Sequence, residues 1–497
     1  MQPLVAPATT ISDRLINNGR MTATEDAAPD RTGLDTGARS PGVSYQDLLD
    51  ADTHPVPDVL RLESAKYFGS DDVPIERYTT REWHRREVDQ MWSKVWQFAC
   101  REEHIPEAGD YIIYDIAELS FLVVRQDDGS IKAYPNACLH RGRLLKEYDG
   151  HCSEIRCAFH GFAWKLDGDL QDIPAAWDFP HVDQRPDDFT LPECSVDTWA
   201  GFVFLNPDPK AAPLADHLGD LMEQFEVWNL GDRFVEGHVS RVINANWKIA
   251  QEAFCEAYHV NATHPQILTY LGDINSQVDV FENCSRVITP GGTPSPLLGE
   301  NDLTENDMAR GMMDVRVDHE SPISIEEGQT ARAVLSAVAR ERWRPIAGDS
   351  VDQMSDSEMM DSIDYTAFPN FHPWGAFNRI VYRFRPNGDD HRSAIMECFL
   401  LSPFSGERPP PATETKLGAN DPWTSAPELG MLAKVFEQDV FNMAKVQKGL
   451  ETTRKPGATF SNYQESKIRW LHTLLGEWVN DDVPVSVGTG SKARDNS

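Results

Sequence analysis

The sequence predicts an α+β fold with two domains: a small all-β domain, and a larger domain in which helices flank an antiparallel sheet. The chain has 497 residues, which is too long for one compact core. Short β-type runs dominate residues 111–137, and two of them are joined by a turn at 127–130. Beyond residue 206, segments with helical spacing of apolar residues are mixed with segments that alternate like strands.

Each predicted element follows from its own apolar period. A helical period of 3.6 residues and a strand period of 2 distinguish the two classes. The predicted strands are 111–116, 120–126, 131–137, 201–206, 379–386 and 393–403. The predicted helices are 83–95, 328–343, 428–450 and 463–479.

Changes of composition and period set the expected domain limits. The ends of the chain are polar and lack periodicity, so we expect them to be loosely ordered. The acidic stretch 300–364 is expected to be an insertion or lid. The predicted units are a partly disordered N-terminal arm (1–60), a small β domain (99–185), a discontinuous larger domain (61–98 and 186–480) and a C-terminal tail (481–497).

The composition excludes several classes of protein. A formal net charge of −33 argues against nucleic acid or an anionic membrane as a partner, because both bind basic surfaces. No apolar run is long enough to span a bilayer. The N-terminus MQPLVAPATTISDRL does not resemble a signal peptide. We therefore expect a cytoplasmic protein whose eight cysteines are reduced thiols or metal ligands.

Two Cys–His pairs stand in the segment 138–161. Cys138 and His140 form the first pair and Cys157 and His160 form the second; we call these four residues the Cys–His frame. Such a set suits tetrahedral zinc or an iron–sulfur cluster. Because each pair supplies one Cys and one His, two similar loops can hold a two-iron cluster with both thiolates on one iron and both imidazoles on the other. Zinc remains an alternative.

The Cys–His frame resembles the Rieske [2Fe–2S] motif. Gly161 and Trp164 follow the second pair, as they do in that family. Arg143 and Phe159 stand where respiratory Rieske proteins carry a loop disulfide, so the pattern is similar to the oxygenase type. Cys152 lies off the motif and is predicted to be a structural thiol. The resemblance implies that the small β domain is a Rieske domain.

A second group of candidate ligands lies in the segment 244–265. Glu256 and His259 are three residues apart and share a helical face. His264 lies about 140° further round a regular helix, so both histidines can face one metal only if the helix ends or bulges between them. The nearby Pro265 is compatible with such an end.

A carboxylate that can complete this group lies in the predicted helix 428–450. Asp439 interrupts an otherwise apolar row, and a buried unpaired carboxylate costs several kcal/mol, so we expect it to meet a cation. Two histidines and one carboxylate form the facial set of non-haem Fe(II) oxygenases. Taken singly, His259 or Asp439 is typical of a satisfied core polar group. The inward row is predicted to be Leu432, Phe436, Asp439, Met443, Val446 and Leu450.

Over about residues 45–480 the chain resembles the large (α) subunit of Rieske non-haem iron oxygenases, the aromatic-ring-hydroxylating type. The resemblance rests on the Cys–His frame, Asn-Trp-Lys at 246–248, the E-x-Y-H-x4-H stretch and the segment around Asp439. The resemblance implies mononuclear Fe(II) bound by His259, His264 and Asp439. It also implies that Glu256 links this iron to a neighbouring subunit's cluster for electron transfer.

The same resemblance implies a multicomponent enzyme. Members of that family use O2. A reductase, with or without a ferredoxin, passes electrons from NAD(P)H to their [2Fe–2S] cluster. They form a head-to-tail homotrimer or an α3β3 assembly. The expected reaction is hydroxylation, most simply cis-dihydroxylation, of a small aromatic or other apolar ring.

Two departures leave alternatives open. Glu252 is followed by Ala253, where many relatives have Asn, and the linking acid is Glu256, where many dioxygenases have Asp. This pattern also resembles the choline and carnitine branch. The alternatives are a Rieske monooxygenase or demethylase acting on an amine, ether or alicyclic substrate and, more remotely, a non-catalytic electron carrier or zinc-stabilised structural protein.

Four apolar residues are candidates for a substrate pocket near the iron. An apolar pocket is the usual form of a small-molecule site, although each of these residues is also typical of ordinary core. The candidates are Phe254, Ile267, Leu268 and Phe371.

Overall fold

The structure is a computed structural model that describes residues 42–313 and 322–480. The predicted C-terminal tail, the first 41 residues of the predicted arm and part of the predicted insertion lie outside these residues. Among the described residues, no helix has the length and apolar character needed to cross a membrane.

The described residues contain strands β1–β20 and helices α1–α13. The strands are β1 Val73–Pro74, β2 Gln97–Arg101, β3 Asp110–Ile116, β4 Leu119–Arg125, β5 Ile131–Pro135, β6 Gly150–His151, β7 Ile155–Arg156, β8 Ala163–Trp164, β9 Leu170–Asp172, β10 Ser195–Trp199, β11 Phe202–Asn206, β12 Arg233–Ile243, β13 Gln277–Val280, β14 Cys284–Thr289, β15 Ser362–Ala367, β16 Phe371–Pro373, β17 Ile380–Asn387, β18 Asp390–Pro403, β19 Thr415–Leu417 and β20 Gly457–Ala458. The helices are α1 Tyr45–Asp50, α2 Asp58–Arg61, α3 Glu76–Thr79, α4 Arg81–Glu87, α5 Leu214–Leu218, α6 Asp220–Phe225, α7 Trp247–Glu252, α8 Val260–Thr263, α9 Glu305–Met312, α10 Ala331–Ala347, α11 Asp356–Met360, α12 Leu432–Thr452 and α13 Ser466–Trp478.

The small domain is built from two antiparallel sheets. One has the strand order β5-β4-β3-β6 and the other has the order β7-β8-β9. Apolar side chains from both sheets, such as Leu122, Ile155 and Trp164, form one core. Cys138 and Cys157 belong to this core. The two loops that carry the Cys–His frame are therefore anchored in the packed interior of the small domain.

The large domain is organised by an eight-stranded sheet with the order β13-β14-β15-β16-β17-β18-β12-β19. All neighbouring strands are antiparallel except β12 and β19. Because side chains alternate between the two faces, each face has its own core. The inner face packs against α7, α12 and α13 through Ala250, Phe436 and Leu471. The outer face packs against β2 and β11 through Phe98 and Phe202.

The α+β class and the antiparallel sheet flanked by helices are confirmed. The predicted helix 428–450 is shortened at its start. Glu428 lies in a 3-10 turn, and Gly430 follows with a φ of +54°, a conformation that costs glycine least. The helix α12 therefore begins at Leu432.

The described part of the predicted arm is packed against the large domain. Tyr45, Leu49 and Leu60 are buried in the outer-face core, which explains why α1 and α2 form. The described part of the insertion consists mainly of α9, α10 and α11, and residues from 362 onward belong to the sheet as β15.

A buried ion pair connects α4 to α7. The side chains of Lys248 and Glu87 are fully buried and form a salt bridge. Glu87 also accepts hydrogen bonds from the indole N–H groups of Trp83 and Trp247, at 2.8 and 2.9 Å. The carboxylate thus satisfies three donors, and the ammonium has a buried counter-charge.

We predict that Lys248→Met destabilises the protein by about 3–5 kcal/mol, because it leaves a buried carboxylate without its counter-charge. The free energy of unfolding in urea measures this loss. The matched control is Lys132→Met, which removes the partly exposed pair with Glu193 and should cost at most about 1 kcal/mol. Equal losses in the two variants would contradict the role assigned to Lys248.

Candidate metal centres

The two ligand loops of the Cys–His frame have the same backbone geometry. Cys138 N donates to Arg143 O and Gly142 N donates to Cys138 O, both at 2.8 Å. The second loop repeats this pattern five and four residues after Cys157, at 2.8 and 3.1 Å. The histidine stands two residues after the cysteine in the first loop and three residues after it in the second. Gly142 and Gly161 nevertheless both have positive φ, at +74° and +83°. Two equivalent loops therefore present their ligands to a common point.

The four side chains of the Cys–His frame fit a two-iron cluster. Cys138 and Cys157 are buried and adjacent, and burial together with the Cys157 thiol raises the pKa of Cys138. The centroids of the imidazole rings of His140 and His160 lie 4.7 Å apart. His140 Nδ1 is buried and finds no hydrogen-bond partner within 42–313 and 322–480. Paired thiols beside paired imidazoles, one with a free buried nitrogen, match the ligand set of a Rieske cluster.

The second set of ligands meets where α8 approaches α12. His264 Nε2 lies 2.7 Å and His259 Nε2 lies 3.5 Å from Asp439 Oδ1. One ligand atom from each of the three residues lies within 4.8 Å of the other two. We call His259, His264 and Asp439 the facial triad.

The break in the helical segment brings the two histidines together. Regular helix α7 ends at Glu252, and the short helix α8 runs only from Val260 to Thr263. His259 precedes α8 and His264 follows it with φ −125° and ψ 50°, which is outside the helical region. The expected end of the helix between the two histidines is therefore present.

Neighbouring groups orient both imidazoles. Glu256 accepts from His259 Nδ1 and from the backbone N–H of His259, both at 2.8 Å. His264 Nδ1 lies 2.8 Å from Gln438 Oε1, an acceptor. A neighbouring side chain fixes Nδ1 of each imidazole, so Nε2 points toward Asp439. Metal-binding histidines are usually oriented in this way, through the ring nitrogen that does not bind the metal. The sequence pattern does not single out Gln438, although this residue directly precedes Asp439.

The electrostatics of the facial triad favour positive charge. Burial lowers the pKa of His259, but hydrogen bonds to Asp439 and Glu256 outweigh it and raise the pKa to about 10. Burial raises the pKa of Asp439, but its hydrogen bonds to His259 and His264 outweigh that effect and lower it. The carboxylate thus stays ionised in a buried position, where a cation can replace the imidazole proton.

A second cluster of possible ligands has a different character. His238, Glu397 and Glu414 also place ligand atoms within 4.8 Å of one another. However, Glu397 accepts from Arg383 at 2.6 and 2.7 Å and from Arg385 at 2.9 Å. Both carboxylate oxygens are therefore neutralised by guanidinium groups, and we interpret this cluster as a structural charge network.

Three of the four pocket candidates lie near the facial triad. The ring of Phe254 lies 5.8 Å from that of Phe436, one helical turn before Asp439 in α12. Leu268 and Ile267 pack with residues on both sides of His259.

Phe371 was misplaced by the prediction. It packs on the outer face of the sheet, 4.9 Å from the ring of Phe202 and 5.4 Å from that of Phe98. Because neighbouring side chains of a strand point to opposite faces, the inner face receives His372 instead. Phe371 is therefore a core residue.

The predicted inward row of α12 also needs correction. The side chains that are buried are those of Ala433, Phe436, Asp439, Met443 and Gln447. Val446 is 47% exposed, because the buried row follows the 3.6-residue period one position further on. Asp439 keeps its inward place.

We predict that Asp439→Ala loses the mononuclear iron and keeps the two irons and the visible absorbance of the cluster, since the two sites share no ligand. Iron and acid-labile sulfide per chain measure this. The control is Glu451→Ala, a carboxylate about three turns further along α12 that pairs with Arg392, and its iron content should not change. Unchanged iron in Asp439→Ala would refute the ligand assignment.

Comparison with known proteins agrees with this architecture. Residues 95–183 match the Rieske [2Fe-2S] domain, and residues 230–481 match the ring hydroxylating alpha subunit (catalytic domain). The chain is 32% identical over 193 residues to the chlorobenzene dioxygenase subunit alpha of Cupriavidus sp., which is 37% of this chain and 42% of that relative. The aligned stretch thus spans less than half of the relative's length.

Solved structures share the fold. Naphthalene 1,2-dioxygenase from Rhodococcus sp. bound to indole has a TM-score of 0.55 at 21% identity, covering 83% of this chain and 95% of that one. The quaternary ammonium Rieske monooxygenase CntA in complex with L-carnitine has a TM-score of 0.57 at 17% identity, covering 82% and 95%. Together, the two matched domains imply a Rieske cluster and a mononuclear iron. The chain belongs to the family of ring-hydroxylating oxygenase alpha subunits.

Proposed function

We propose that this chain is the terminal oxygenase component of a multicomponent Rieske oxygenase, which hydroxylates an aromatic or other apolar ring. The observation that carries the proposal is the facial triad, whose two imidazoles are each oriented through Nδ1. A set of two histidines and one carboxylate leaves coordination positions open. When bound, the two iron groups supply one-electron transfer and O2 activation.

The reaction balances with one two-electron donor. An arene, O2, NAD(P)H and a proton give a cis-dihydrodiol and NAD(P)+. We propose that the electrons come through a reductase, with or without a ferredoxin. The name of the chlorobenzene dioxygenase relative supports an arene as substrate.

The chain's own residues have distinct roles in this proposal. Cys138, His140, Cys157 and His160 hold the cluster, and the facial triad holds the mononuclear iron. Glu256 keeps His259 in the ligand orientation and is the proposed electron-transfer bridge to the adjacent subunit. The aromatic side chains of Phe254, Tyr382 and Phe384 pack together on the inner face of the sheet.

We further propose a head-to-tail trimer, with or without a second type of subunit. Large apolar side chains are exposed beside both iron sites. Phe159, next to the ligand His160, is 57% exposed, and Tyr258, next to His259, is 47% exposed. Pairing these two surfaces would cover both side chains and bring a cluster next to a neighbour's facial triad.

A monooxygenase or demethylase is the second candidate. It would use the same ligands, and the shared fold with CntA together with Glu256 at the bridging position favours it. The third candidate, an electron carrier or a zinc-stabilised structural protein, would contain at most the metal of the small domain. Iron, zinc and sulfide analysis separates this third candidate from the other two.

We predict that the purified protein, with NADH and a generic reductase, consumes O2 in the presence of members of a panel of arenes, aromatic acids and amines. With ¹⁸O2, a dioxygenase product carries label in both new oxygen atoms, whereas a monooxygenase or demethylase inserts one. Protein with full iron and sulfide content that oxidises none of these compounds would contradict the proposed function.

We predict that Glu256→Gln keeps both iron sites but lowers the rate of product formation about 10–100-fold, as expected for a residue that orients a metal ligand. Glu256→Asp should recover part of the rate, because it retains the carboxylate. Iron content and steady-state turnover are the measurements. A normal rate in Glu256→Gln would remove this residue from the electron path.

A further inference from the structure

A row of polar side chains, each with a buried polar atom, lies on the inner face of the large sheet, which packs against the helix α12 that carries Asp439. The strand register places Ser285 opposite Thr366 and Asp364 opposite Trp374. His372 lies beside them, with Nδ1 2.9 Å from Thr366 Oγ1. We call Ser285, Asp364, His372 and Trp374 the inner polar row.

Each member of the inner polar row has one atom without a protein partner. Within residues 42–313 and 322–480, no hydrogen-bond partner is found for Ser285 Oγ, Asp364 Oδ1, His372 Nε2 or Trp374 Nε1. Buried polar atoms are nearly always paired in folded proteins. Four unpaired atoms on neighbouring strands therefore point to a partner that is not part of the chain.

The inner polar row is electrically neutral overall. Lys467 donates to Asp364 Oδ2 at 2.6 Å, so this pair cancels its own charge while Oδ1 still requires a donor. Burial raises the pKa of Asp364 to about 6 even though Lys467 opposes the shift. Burial, with a smaller contribution from Lys467, lowers the pKa of His372, which keeps its ring neutral.

Tyr382 connects the inner polar row to the facial triad. It pairs with His372 in the strand register, and its ring lies 5.9 Å from that of Trp374 and 5.8 Å from that of Phe436. Burial raises the pKa of Tyr382, and the nearby Cys398, Asp364 and Asp439 raise it further. Tyr382 thus lies near Trp374 of the inner polar row and near Phe436, one turn before Asp439 in α12.

We infer that the substrate is a ring compound with a hydroxyl group, and that the inner polar row binds this hydroxyl while the ring lies toward the facial triad. The inference rests on the proposed function. A hydroxyl both donates, as Asp364 Oδ1 requires, and accepts, as Trp374 Nε1 requires. A carboxylate cannot donate to Asp364, a hydrocarbon leaves every atom of the row unpaired, and an ammonium cannot accept from Trp374.

The test uses iron- and cluster-loaded protein under anaerobic conditions, so that binding is measured without turnover. The ligands are benzene, naphthalene and phenanthrene rings, each as the hydrocarbon, the hydroxyl derivative and the carboxylate. For the ring size that fits, we expect the hydroxyl derivative to bind at least about tenfold more tightly than the other two, as for a paired neutral hydrogen-bonding site.

Trp374→Phe removes the indole N–H and keeps an aromatic ring. It should weaken binding of the hydroxyl derivative about tenfold and change hydrocarbon binding less than twofold, and in turnover it should raise KM more than it lowers kcat. The matched control is Trp228→Phe, on the outer face beside Tyr365, which should leave the ratio of the two affinities unchanged.

The outcomes separate the two proposals. Equal or tighter binding of the hydrocarbon at every ring size would mean that the inner polar row is paired only by water, and would overturn the inference. Tighter binding of the carboxylate would also overturn it. If hydroxylated rings bind as expected but no ligand is oxidised in air with the reductase, the proposed function fails while the binding preference stands.

Discussion

The buried carboxylate of Asp439 imposes the main constraint on the large domain. An ionised carboxylate in an apolar interior is unfavourable unless it meets positive charge, and here it faces two imidazoles at 2.7 and 3.5 Å. To bring both rings to one point, the short helix α8 must end at Thr263, so that His264 leaves the helical conformation. The eight-stranded sheet and α12 then provide a rigid support on which this arrangement is held.

The small domain positions the four residues of the Cys–His frame on two loops. The same loop geometry occurs twice, and each loop contributes one thiol from the core and one imidazole. His160 is exposed while Cys138 and Cys157 are buried. This polarity leaves the histidine side of the frame accessible and encloses its sulfur side. In the proposed trimer, this histidine side would face the facial triad of a neighbouring subunit.

Sequence patterns predicted those features in which a characteristic residue type occurs at a characteristic spacing. The Cys–His frame, the facial triad and the main strands could be predicted because their residue types are rare and their periods are clear. Val446 and Phe371 were misassigned for a common reason: a shift of one residue reverses the face in a strand and moves a side chain off the buried row in a helix. Gln438 could not be predicted, since its partner His264 is far away in the chain, and the inner polar row could not, since only the strand register brings its members to one face.

The central claim is that one chain holds two separate iron sites. An anomalous difference map at the iron absorption edge, from crystals of the anaerobically loaded protein, tests it most directly. We expect one strong peak within the Cys–His frame and a second, weaker peak within the facial triad. A single peak in the small domain, or density at the zinc edge in place of iron, would contradict the account.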